Sequence, residues 1–68
     1  MKGYGSKLRE LRGKRSREEI AGAVNVSVSA IAMYENEERS PRDEIKLRLA
    51  EFFGETVQEI FFTQNVTK

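Results

Sequence analysis

Helix-start and helix-stop signals crowd the middle of this chain, and their spacing decides what it can become. Ser16-Arg17-Glu18-Glu19 reads as a capping box, in which the serine hydroxyl accepts from the Glu19 N–H while that carboxylate reaches back to the cap. Ile20, Ala21 and Val24 then give a buried stripe. Asn25 stops the helix, because asparagine tolerates the left-handed backbone conformation better than any residue but glycine. Ser27 caps the next helix at once, Ile31 and Tyr34 turn inward from it, and Asn36 offers its stop. Two short helices over residues 17–24 and 28–35 follow, joined by three residues, with no stretch long enough for a strand pattern to compete.

The flanks continue in the same manner. A first helix over residues 6–14 carries Leu8 and Leu11 on one face, with Gly3 and Gly5 loosening its start. Ser40-Pro41 opens a fourth helix over residues 41–53, since proline at the first helical position loses no hydrogen bond. Ile45, Leu49, Phe52 and Phe53 line its inner side, and Gly54 ends it. Thr56-Val57-Gln58-Glu59 is a second capping box, opening a fifth helix over residues 57–62 that buries Val57, Ile60 and Phe61. Residues 63–68 are a tail in which Thr63, Val66 and Thr67 could form a short strand. The expectation is one all-α, five-helix domain spanning residues 1–68.

Composition narrows function more than fold. The chain has 68 residues, and a domain of this size buries only about 60% of its unfolded surface. It has no cysteine and no histidine, which removes disulfides, Cys/His metal sites, thiol nucleophiles and the commonest general base. The pairs Glu18/Glu19, Glu37/Glu38 and Asp43/Glu44 fall at helix starts or turns, where the helix macrodipole accounts for them. With no glycine-rich phosphate loop or paired-carboxylate arrangement, the chain is expected to be no enzyme and to need no cofactor, metal or small-molecule ligand. No apolar run approaches the ~18 to 20 residues of a membrane span, so a soluble cytoplasmic protein without a membrane partner is expected.

A formal net charge of +1 conceals a segregation. Residues 1–17 carry Lys2, Lys7, Arg9, Arg12, Lys14, Arg15 and Arg17 against Glu10 alone, and residues 18–38 carry five glutamates and no base. A second basic cluster follows at Arg39, Arg42, Lys46 and Arg48. The two clusters form a phosphate footprint if the fold unites them, and a solvated surface if it does not.

Two short helices joined by a three-residue turn are the arrangement in which one helix braces another in the major groove of DNA. Arg17-Glu18-Glu19-Ile20-Ala21, Asn25-Val26-Ser27-Val28-Ser29-Ala30-Ile31, Tyr34-Glu35-Asn36, Pro41-Arg42-Asp43-Glu44-Ile45 and Leu49-Ala50-Glu51-Phe52-Phe53-Gly54 closely resemble the Cro and phage-repressor type of helix-turn-helix, also called Xre-like. The likeness runs over residues 6–62. It implies a compact, lambda-repressor-like, five-helix DNA-binding domain, with the helix-turn-helix in helices 2 and 3, acting as a regulator in a bacterium or phage. Three departures stand out. Asn25 replaces the turn glycine, Glu37 replaces the glycine that follows Glu-Asn, and the Arg12–Ser16 stretch is about two residues short and lacks the apolar residue before the cap. At Glu37 the helix must leave by another route or hold a strained residue.

At about 100° per residue, Ser29 and Met33 point away from Ile31, so Val28, Ser29, Ala32 and Met33 form the outer face of the third helix. Met33 could instead pack on a neighbouring loop. With no Arg, Lys, Asn or Gln, this face cannot make bidentate pairs to bases. It can touch thymine methyls and donate one hydroxyl, which predicts T-containing half-sites read partly through DNA shape. Arg17 stands where the resembling family commonly places a backbone-contacting glutamine, and it is the leading charged contact. Ser27 and Asn36 are placed to reach phosphates, with Lys14, Arg39 and Arg42 at longer range. Ser27 also reads simply as a cap. The resemblance further implies a structural ion pair between Arg12 and Glu35.

One recognition helix with so few contacts falls short of the roughly 4 to 10 kcal/mol that separates specific from non-specific binding, so a homodimer on double-stranded DNA is expected. Ile60, Phe61 and Phe62 make the most apolar run near a terminus and are the expected dimer interface. The reading is a transcriptional regulator of the repressing kind; the rival is an antitoxin-like or adaptor module whose helical surface binds a protein.

Overall fold

The start signals act through their side chains. Ser16 Oγ accepts from the Glu19 N–H at 3.1 Å, and Ser27 Oγ from the Ala30 N–H at 3.0 Å. Only at Thr56 is the box closed on both sides, with the Thr56 N–H also donating to Glu59 Oε1 at 2.9 Å. The computed structural model describes residues 3–62, so the tail at 63–68 and its suggested strand lie outside them. Within that span the elements are α1 (Tyr4–Arg12), α2 (Arg17–Val24), α3 (Val28–Glu35), α4 (Asp43–Phe53) and α5 (Val57–Phe61). The described residues contain no strand, and none of their helices is long and apolar enough to cross a membrane.

Asn25 ends α2 in the left-handed region at φ 64°, ψ 49°, and the Val26 N–H returns to the Ala21 carbonyl at 3.0 Å. α2 and α3 pack on one another, α1 lies against α3 and α5, and α4 contacts α2 and α5. Their shared interior holds Leu8, Ile20, Val24, Ile31, Leu49 and Ile60, each at most 4% exposed.

Several boundaries differ from the sequence reading, and α5 ends at Phe61 rather than at residue 62. α1 runs from Tyr4 rather than from residue 6, because Gly5 is buried against α3 instead of fraying. It ends at Arg12, where Gly13 takes φ 57°. α4 begins at Asp43, not at Pro41: the proline ring is buried ahead of the helix, and Arg42 in extended conformation is the cap. Ile60 and Phe61, expected both inside the fifth helix and at a dimer interface, are 0% and 5% exposed and so pack in the core of their own protomer rather than on its surface. The early start of α1 explains Phe61, since the Tyr4 ring lies 5.4 Å from it, centroid to centroid. Phe62 alone of that run is open, at 46%, with the Lys46 ammonium 5.6 Å above its ring. Phe52 and Phe53 are half-buried under the Arg15 guanidinium, at 5.2 and 5.9 Å.

The closed box gives a prediction. The hydrogen bond from the Thr56 N–H holds the Glu59 carboxyl below its ordinary value. A depressed carboxyl contributes stability above the usual Glu range and loses it as pH falls through the lower folded-state value. In an NMR titration the Glu59 side chain should therefore ionise at lower pH than glutamate in an unstructured peptide; an equal midpoint would contradict the box.

Candidate nucleic-acid interface

Burial of Ala30, Ile31, Tyr34 and Glu35 fixes the orientation of α3. The exposed Val28 and Ser29 and the half-buried Ala32 and Met33 are left on its other side. This face offers methyl groups, a thioether and one hydroxyl. At its head, Ser27 uses an oxygen lone pair as the cap and keeps its O–H proton for an outside acceptor. At its tail, Asn36 is exposed, and its Oδ1 accepts from Arg9 Nη2 at 2.8 Å.

Glu35 is the electrostatic centre behind this face, with a side chain only 2% exposed. Arg12 approaches it bidentately, Nε to Oε2 at 2.6 Å and Nη2 to Oε1 at 3.2 Å. Arg17, the leading DNA contact of the sequence reading, is drawn into the same cluster, donating from Nε to Oε1 at 3.2 Å. Its side chain stays 39% exposed, and among the described residues its terminal nitrogens have no partner.

Four bases of the block at the start of the chain are therefore engaged in contacts within the protein. Arg9, Arg12 and Arg17 hold the end of α3, and Arg15 covers Phe52 and Phe53. Lys14 is exposed between α1 and α2, with no hydrogen bond or ion pair among the described residues. Arg39 and Arg42 are exposed, with no side-chain partner among the described residues. Together with Arg48 they line a polar groove of about 430 Å³ that reaches Asn25, Val26 and Ala30 at the turn. Arg48 is oriented there by its bonds to the Val24 carbonyl and to Glu44. The described residues hold no cluster of metal-ligating side chains.

A sequence profile of the helix-turn-helix family matches residues 6–60, from α1 into α5. The chain belongs to the Xre-like helix-turn-helix family. The family is one of DNA-binding domains. This helix-turn-helix chain superposes with a TM-score of 0.88 on a crystal structure of the P22 c2 repressor protein in complex with synthetic operator 9T in the presence of Tl+, covering 91% of this chain and 97% of that one at 23% identity. A comparison with curated proteins finds no match.

In this helix-turn-helix domain the departure at Glu37 takes the strained course, with φ 59°. Its carboxylate also has work: Oε2 accepts from the Gly5 N–H at 2.9 Å, capping α1, whose own N-cap Gly3 provides no side-chain bond. The Tyr4 hydroxyl donates to the Arg39 carbonyl at 3.0 Å. The start of α1 thus grips the connection between α3 and α4, a role the sequence reading did not give to Tyr4, Gly5, Arg9 or Glu37. The available signal was the coincidence of a non-glycine at a left-handed position with two glycines near the first helix.

Proposed function

We propose that this chain is a sequence-specific double-stranded DNA-binding transcriptional regulator, a repressor, that inserts α3 into the major groove. The observation carrying this reading is the outward face of α3: Val28, Ser29, Ala32 and Met33 between a hydroxyl at Ser27 and an amide at Asn36. Val28, Ala32 and Met33 meet thymine methyls, Ser29 supplies a hydroxyl, and Ser27, Asn36, Arg39 and Arg42 contact phosphates. Arg17 adds its free terminal nitrogens, and Lys14 acts at longer range. The repressing role is taken by analogy with the similarly folded P22 c2 repressor. So sparse a face needs a second copy, and the chain acts as a dimer on a pseudo-palindrome; Phe62 is the apolar side chain left open near the terminus.

Selection of sites from random duplex DNA at physiological salt tests the proposal. The expected product is an inverted repeat with T-containing half-sites centred about 10 base pairs apart. Sites rich in G·C beneath α3 would contradict the readout. No enrichment, with binding lost by about 200 mM salt, would reduce the chain to phosphate affinity alone and turn attention to a protein partner.

A further inference from the structure

The contact between Arg9 and Asn36 deepens the DNA-binding reading and rests on it. We propose that Arg9 is a positioning residue: it turns the Asn36 amide so that the end of α3 presents N–H donors to a phosphate.

The argument begins with what each group can do. A guanidinium has donors and no acceptor, whereas a primary amide has one of each kind of atom and can present either. Because Arg9 Nη2 sits 2.8 Å from the amide, the atom facing it is the oxygen. The Nδ2 group is turned the other way, and among the described residues it meets no acceptor. Asn36 is exposed, so its two N–H donors are open to an outside partner.

The location makes this orientation consequential. Asn36 is the C-cap of α3, the negative end of the helix macrodipole. Glu37 and Glu38 follow directly, both exposed. An unrestrained amide here could present oxygen as readily as nitrogen to an approaching phosphate, in a field that already repels it. Arg9 opposes both effects, since the same Nη2 also donates to the Glu35 carbonyl at 3.3 Å, satisfying one of the last acceptors of α3. Arg9 is itself held at this point by α1, whose neighbouring contacts at Gly5 and Arg12 seat the helix against α3.

A double-mutant cycle tests the proposal in the full chain, with binding to the best selected duplex measured where every variant is folded. Arg9→Met and Asn36→Ala should each weaken binding about tenfold, the loss of one charge-assisted hydrogen bond, and the double variant should be no weaker than either. Arg9→Lys, which keeps the charge and a donor, should recover most of the loss. Multiplicative effects, about a hundredfold in the double variant, would overturn the proposal and place Arg9 on the DNA directly. A second measurement needs no DNA: the paired Nδ2 proton resonances of Asn36 should move toward free-amide values in Arg9→Met. If they stay, the orientation is not set by Arg9. If the parent protein binds no duplex, the DNA-binding reading fails while these resonances still decide the geometry.

Discussion

Gly5→Ala should remove most of the stability of this domain, the largest effect expected from a single methyl group anywhere in it. Gly5 is buried in the first turn of α1, where the helix backbone runs against the end of α3. A Cβ there would overlap the Glu35 carbonyl oxygen, lie 2.9 Å from its carbon and come within 2.8 Å of Glu37 Cγ. A side chain can rotate away from such a collision, but a carbonyl within a helix cannot, so α1 must lift from α3. Lifting it exposes Leu8, breaks the Gly5–Glu37 hydrogen bond and opens the Arg12–Glu35 contact. Overpacking costs about 1 to 3 kcal/mol where side chains can adjust, and more where backbone is struck. A chain of this length has only about 3 to 10 kcal/mol in total. We expect a loss of at least about 3 kcal/mol, a fall in Tm of at least about 12 °C by circular dichroism. Gly22→Ala is the control. It lies within α2 with nothing within 4 Å of an added Cβ, and it should stabilise by about 0.5 to 1 kcal/mol through helix propensity. A Gly5→Ala protein melting within about 2 °C of the parent would refute the close approach.

The residues that failed to announce themselves share one property: their roles depend on contacts distant in sequence. Caps and stops are local, so Ser16, Asn25, Ser27 and Thr56 could be read from a few neighbours, and the apolar spacing placed Ile20, Ile31 and Leu49 inside. Pro41 has a strong local preference for the first helical turn, yet burial of its ring outside α4 prevails. Arginines are harder to read, because charge is counted along the chain but paired in space. Arg9, Arg12 and Arg17 are counted among the bases of a phosphate footprint, and all three converge on two residues at the end of α3. Ile60 and Phe61 mislead for a related reason: apolarity near a terminus says nothing about whether α1 has a tyrosine ready to cover it.

Arg12→Met should destabilise the protein by about 3 kcal/mol, whereas Arg17→Met should cost about 1 kcal/mol or less, although both arginines bind the same carboxylate. The asymmetry follows from burial and geometry. Glu35 is 2% exposed at the junction of α1, α2 and α3, so its charge cannot be given back to water without unfolding that junction. Arg12 covers both oxygens, is 20% exposed, and also donates from Nη1 to the Arg15 carbonyl, tying down the α1–α2 connection. Arg17 makes one bond, and 39% of its side chain is in solvent. Losing Arg12 leaves a buried charge with one partner; losing Arg17 leaves the bidentate pair intact. Urea unfolding of the two variants measures the difference, and equal costs would mean that solvent reaches Glu35. Adding Glu35→Gln to Arg12→Met should recover part of the loss, because it removes the stranded charge. Arg17→Met should instead weaken DNA binding. On the proposed function, Arg12 belongs to the scaffold that fixes α3, and Arg17, at the start of α2, to the surface offered to DNA.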